Sequence, residues 1–161
     1  VRVTLWVVKG GRGGFREPRF VARSVIGIGW GEVGDLSRYP DRGALKAAYR
    51  GAHPERSESH VNTQVAQLWA FGHRMAIGDP VVVPFLGQPE IAIGEISGPY
   101  RWLGEAEPDM PHVRAVTWHV IDMPRIAFDP DLRYSFGGSV TVCSVSRHDA
   151  ERRVREMLAR A

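Results

Sequence analysis

The sequence predicts an α+β domain: a strongly curved, mixed β-sheet or barrel of about six strands, with flanking helices. Three observations predict it. Short runs rich in Val, Ile and Trp recur along the chain, several of them alternating. Two stretches of helical periodicity fall between the second and third of these runs. Several runs carry Gly where a strand would have to bend or bulge, which curls a sheet toward closure. The length of 161 residues suits one domain, and 43% hydrophobic residues suffice for a core.

The elements follow in order. Residues 3–8 alternate around Trp6 and read as a strand. Lys9-Gly10-Gly11-Arg12-Gly13-Gly14 reads as a flexible basic loop. A second strand is centred on residues 24–30, and Gly31 to Ser37 is turn-rich. Asp41 to Arg50 is a short helix with Leu45, Ala48 and Tyr49 on one face, stopped at Gly51-Ala52-His53-Pro54. Ser57 or Ser59 caps a longer helix over 59–74, striped by Val61, Val65, Leu68 and Trp69. Gly78-Asp79-Pro80 breaks the chain before strands at 81–85 and 91–96. Residues 98–111 form a loop carrying Tyr100 and Trp102. Residues 113–120 alternate as a half-exposed strand, residues 139–145 form the last strand, and residues 147–161 form a charged helix. No internal repeat and no low-complexity segment is present.

Composition and motifs exclude much chemistry. The single cysteine, Cys143, rules out an internal disulfide and leaves a Cys-based zinc site without ligands. It sits in an apolar run and reads as a small buried residue, compatible with a reducing cytoplasm. The six histidines show neither His-x-His nor His-Glu-x-x-His spacing. The glycine-rich loop is not followed by Gly-Lys-Ser/Thr, and Gly27-Ile28-Gly29-Trp30-Gly31 opens no helix, so neither phosphate-loop nor dinucleotide fingerprint is met. Gly-x-Ser-x-Gly is absent. Asp129-Pro130-Asp131 reads as a turn. With only Lys9 and Lys46 as lysines, an Asp…Glu-x-Lys nuclease site is also absent. No catalytic residue, metal or cofactor is therefore expected. No apolar run approaches the ~18 residues needed to cross a bilayer, so no membrane partner is expected. The opening segment is too short and strand-like for a signal peptide, and it lacks an initiator methionine, which points to a trimmed or processed start.

The net charge of +3 is mildly basic and carried almost wholly by arginine. Arginine suits bidentate phosphate contacts and stacking on bases, although a GC-rich genome would supply the same bias. Five tryptophans stand out. Trp6, Trp69 and Trp118 lie on core-facing patterns. Trp30 ends a strand between glycines, leaving its ring free either to pack or to stack on a flat ligand. Trp102 lies in a polar loop, where a ring gains little unless it covers something. Aromatic faces beside arginines are the usual means of holding an unstacked base.

Trp6-Val7-Val8-Lys9-Gly10-Gly11, Val25-Ile26-Gly27-Ile28-Gly29-Trp30 and Gly34-Asp35-Leu36-Ser37 resemble the opening of EVE-like domains found at the front of Mrr-type and related restriction endonucleases. The resemblance continues through Gln67-Leu68-Trp69, Gly78-Asp79-Pro80-Val81-Val82-Val83-Pro84 and residues 93–100. It ends with Pro111-His112-Val113-Arg114-Ala115-Val116-Thr117-Trp118. It implies a PUA-like barrel of the EVE and YTH type, with a pocket for a flipped-out, modified base. In that likeness Trp30 is the first wall of an aromatic cage, and Tyr100 or Trp102 the second. Asp35 and Ser37 would bond the base edge. YTH domains follow their Trp with Ser or Thr, whereas Gly31 follows here.

The reading that results is a non-catalytic domain over 1–146, with 147–161 leading toward a covalently linked effector. Its partner is DNA carrying a methylated adenine or a modified cytosine. Lys9, Arg12, Arg16 and Arg19, with Arg101, are the candidates for backbone phosphates, each with a solvated surface role as the plain alternative. A single-stranded RNA reader of modified adenine, or a protein or small-ligand module on the same fold, are the rival readings.

Overall fold

The computed structural model describes residues 3–161. Seven strands form one mixed sheet: β1 (Leu5–Val8), β2 (Val25–Ile28), β3 (Pro80–Pro84), β4 (Glu90–Ile96), β5 (Arg101–Trp102), β6 (His112–Pro124) and β7 (Val142–Val145). The order is β2-β6-β4-β3-β1-β7, with β5 also on β6. β1 and β3 run parallel and every other pair is antiparallel. The domain is thus α+β with a strongly curled sheet, as the sequence predicts.

The curl has a local cause. β6 pairs with β2 through residues 112–115 and with β4 through residues 116–124, so it changes neighbours along its length. Register shifts fall between Ile91 and Ile93 and between Ile93 and Gly94. Such irregularities bend a strand and steepen its twist. Gly94 sits where a Cβ would lie 2.6 Å from the Thr117 carbonyl oxygen, so only glycine permits that close crossing.

Alternation along the central strands feeds two cores. Trp6 and Val8 of β1 join Val81 and Val83 of β3 on one face, and Leu5, Val7 and Val82 point to the other. The first face is covered by α1 (Glu17–Arg23), α2 (Arg42–Ala52) and α3 (Glu58–Trp69), through Phe20, Leu45, Tyr49, Val61, Val65 and Leu68. The second is covered by α4 (Pro130–Phe136) and α5 (Ala150–Arg160), through Leu132, Phe136, Ala150 and Val154. Strands buried on both faces read as near-continuous apolar runs, which is what Leu5–Val8 and Val81–Val83 are. Asp41 caps α2 by accepting from the Ala44 amide at 2.8 Å, and Ser57 caps α3 by accepting from the His60 amide at 3.1 Å.

Several expectations need correction. The segment 9–14 is not a flexible loop but a folded one. Gly11, Gly13 and Gly14 take positive φ, the Gly14 amide donates to the Gly11 carbonyl at 2.9 Å, and the Arg16 amide to the Gly10 carbonyl at 2.7 Å. α1 lies where the sequence reading assigns no helix; its pattern is masked because just Glu17 and Phe20 are buried in a seven-residue helix. Asp129-Pro130-Asp131 is not a turn but the start of α4, with Pro130 in the first turn. β6 is longer than expected, β7 shorter, and β5 arises within the expected loop. The helix expected over 59–74 ends as a π turn at Ala70–Arg74. Trp6 is fully buried, Trp118 and Trp69 are half-buried against the core, and Cys143 is half-buried rather than buried. No helix among the described residues is long and apolar enough to cross a membrane.

Candidate nucleic-acid interface

The site begins with Glu17, the first residue of α1. Its buried carboxylate accepts from the Leu86 amide at 2.7 Å and the Gly87 amide at 3.4 Å, tying the β3–β4 turn to α1. On the other side, the Lys9 amide donates to the Thr141 carbonyl at 2.9 Å. The buried Gln67 side chain of α3 holds that strand approach, its Oε1 accepting from the Thr141 and Val142 amides at 2.8 and 3.1 Å. Between these segments lies a cavity of about 520 Å³, bounded by the glycine-rich loop, the Gly29–Trp30 strand end, Leu86 and Ser139–Thr141. That volume falls within the ~300–1,000 Å³ of small-ligand sites.

Lys9, Arg12 and Arg16 all line this cavity, with Phe15 and Trp30 as its aromatic walls. Among the described residues none of the three cations has a carboxylate within ion-pair distance. Arg16 is the most constrained. Its Nε donates to the Asp109 carbonyl at 2.8 Å, and its guanidinium lies over the Phe15 ring, 4.5 Å from the centroid. A Cβ on Gly11 or on Gly29 would come within 2.8 Å of one of its terminal nitrogens, so both glycines make room for it. Burial pushes the Arg16 pKa below the ordinary arginine value.

Arg19 has a different fate. It is bidentate to Asp109 at 2.7 and 3.2 Å and reaches Glu107 at 3.3 Å, a carboxylate it shares with Arg23. It is thus committed to acids and is not brought to the cavity. Arg101 is exposed on β5, also outside it.

Trp30 stands in the left-handed region (φ 61, ψ 46), a conformation that costs a non-glycine residue ~1–2 kcal/mol. A half-buried chain of hydrogen bonds, centred on the fully buried His112, holds it there. The Trp30 carbonyl meets His112 Nε2 at 3.0 Å, His112 Nδ1 meets the Tyr100 hydroxyl at 2.7 Å, and the Leu36 amide donates to that hydroxyl at 3.0 Å. A carbonyl can only accept, so Nε2 carries the proton and Nδ1 accepts from Tyr100. Burial depresses the His112 pKa and pushes that of Tyr100 up to about 12. Trp102 packs on His112, ring centroids 5.0 Å apart.

The structure therefore divides the expected pocket residues. Trp30 lines the cavity; Tyr100, Trp102, Asp35 and Ser37 do not. Tyr100 and Trp102 join Trp30 through His112 instead of facing it as a second wall of this cavity. Asp35 and Ser37 bond each other, the carboxylate accepting from the Ser37 amide at 2.9 Å and hydroxyl at 2.7 Å. Sequence reasoning missed Phe15, Glu17, Gln67 and His112, the last of them 0% exposed. No spacing motif marks His112; only its cross-strand pairing with Ile28 on one side and Trp102 on the other reveals it.

Fold and cavity together define an α+β domain with a basic, aromatic-walled cavity at one end of its curled sheet. Residues 15–132 match the model of a family described as a domain of unknown function, DUF8426, and the chain belongs to that family. The match includes Phe15, Arg16, Trp30 and Leu86 of the cavity, while Lys9, Arg12 and Ser139–Thr141 lie outside it. No curated protein matches the chain.

Proposed function

We propose that this domain is a nucleic-acid reader that takes one unstacked, modified base of DNA, as a PUA-like domain of the EVE and YTH type would. It directs a covalently linked effector of the restriction-nuclease class rather than performing chemistry itself. The observation that carries this reading is the meeting of Lys9, Arg12 and Arg16, none with a carboxylate at ion-pair distance among the described residues, with Phe15 and Trp30 at one cavity. Cations left unpaired beside an aromatic face suit a ligand that is both anionic and flat, which a nucleotide is.

The energies are consistent. Stacking a base on an aromatic ring is worth ~1–3 kcal/mol, and burying a methyl group adds ~0.8 kcal/mol. Extracting a paired base costs a few kcal/mol. The pocket then roughly offsets the extraction, and phosphate contacts supply most of the affinity.

Fluorescence anisotropy at one salt concentration tests this. The ligands are matched duplexes, unmodified or carrying methylated adenine, 5-methylcytosine or 5-hydroxymethylcytosine, with single-stranded RNA as a separate arm. One modified duplex should bind at least about tenfold tighter, ~1.4 kcal/mol, and Trp30→Ala should abolish the gap. Equal binding of all duplexes sinks the modified-DNA reading, and preference for unpaired RNA carrying modified adenine replaces it.

A further inference from the structure

We infer that a second, smaller cavity beside the first is an anion site for a neighbouring backbone phosphate of the same nucleic acid, with Arg133 as its principal contact. This rests on the nucleic-acid reading above. The second cavity has a volume of about 240 Å³ and shares Lys9 and Leu86 with the first. Its charged lining is Lys9, Arg125 and Arg133, with no acidic side chain. One lysine thus stands between two arginine-lined hollows, as along a polyanion whose charges repeat.

Arg133 is the informative member. Among the described residues its buried Nε has no hydrogen-bond partner and its guanidinium no carboxylate within ion-pair distance. Buried donors on charged groups are rarely left unmet, because the desolvation is uncompensated. Nε itself is closed to solvent, so an anion in the cavity would offset that desolvation by bonding the terminal nitrogens of the same guanidinium, which make no hydrogen bond among the described residues. The side chain is carried by α4, which is anchored through Leu132 and Phe136 in the second core, so the donor is presented by a rigid element. Arg125 is partly spent: one terminal nitrogen donates to the Phe85 and Gln88 carbonyls at 2.9 and 3.2 Å. It therefore shapes the β3–β4 turn while adding its charge to the cavity. A planar guanidinium with a free edge matches the paired oxygens of a phosphodiester.

The test measures binding of an unmodified and a modified duplex across a salt series, using the whole chain, Arg133→Gln, Arg133→Lys, and Arg160→Gln as an exposed control. Thermal melts accompany each variant. Arg133→Gln should flatten the slope of log K against log salt by about one and weaken both duplexes equally. Arg133→Lys should restore the slope, and Arg160→Gln should leave it unchanged. In parallel, the Arg133 Nε–Hε NMR signal should move on adding the duplex but not on adding inorganic phosphate at millimolar concentration. An unchanged slope in Arg133→Gln overturns the inference, as does a signal that moves with inorganic phosphate alone. The two readings fail separately. Loss of the modified-base preference with the slope effect intact sinks the reader and keeps the phosphate track. The reverse result sinks the track alone, and absence of any nucleic-acid binding sinks both.

Discussion

His112 donates its Nε2 proton to the carbonyl of Trp30, so a fully buried imidazole fixes the one strained residue of the candidate pocket. The aromatic wall and the buried polar chain behind His112 therefore form one mechanical unit.

Replacing His112 with Ala removes that bond, leaves the Tyr100 hydroxyl proton without an acceptor and opens a void. Stability should fall by about 2–4 kcal/mol, read as a lower urea midpoint. Tyr100→Phe should cost less, about 1–2 kcal/mol, because only the Leu36 and His112 bonds are lost and the ring still packs.

The same imidazole sets an acid limit. Its folded pKa lies below the ordinary 6.5, so the unfolded chain binds the proton more readily than the folded one. The stability this group contributes is complete above about pH 6.5 and is lost as the pH falls below that value. Urea midpoints at pH 7.5 and pH 5.5 should show the drop in the wild-type chain and a smaller drop in His112→Ala. Equal drops would place the acid sensitivity elsewhere.

Gly29→Ala tests how Arg16 is seated. Alanine is tolerated by the backbone there, but its Cβ meets the guanidinium and must displace it. Nucleic-acid affinity at fixed salt should fall about tenfold, the worth of one charge-assisted contact, with little change in melting temperature. A fall in melting temperature matching the loss of binding would mean the glycine serves packing alone.

Glu17→Gln should loosen the β3–β4 turn. The carboxylate that holds the Leu86 and Gly87 amides becomes a neutral acceptor, a change of about 1–2 kcal/mol. Hydrogen exchange at those two amides should accelerate, while amides of β1 stay protected.

Much of the architecture was legible because the strands are short, apolar and separated by glycine or proline, and because α2 and α3 carry clear stripes ended by caps and breakers. α1 and α4 were not legible. Each is seven residues long and buries only two side chains, too few for a helical period to emerge. Trp30, Lys9, Arg12 and Arg16 could be singled out because residue type and glycine context are local signals. Arg19 could not be separated from them, since its acids, Glu107 and Asp109, lie some ninety positions away in sequence. His112 and Gln67 act through partners brought in by strand pairing, which no window of sequence contains.

β1 and β7 pair across most of the chain's length, Leu5 with Val145 and Val8 with Val142, and the segments bordering that pairing, Lys9–Gly11 and Ser139–Thr141, make two sides of the cavity. Contacts of such separation are the slowest to form. During synthesis the hollow has no second side until β7 has left the ribosome and closed against β1, so under the nucleic-acid reading proposed above a nascent domain holds no ligand there before that closure. Once it is closed, an occupant touching both segments acts as a clasp. Filling the site raises the work needed to peel β7 away, in proportion to the logarithm of ligand concentration over Kd.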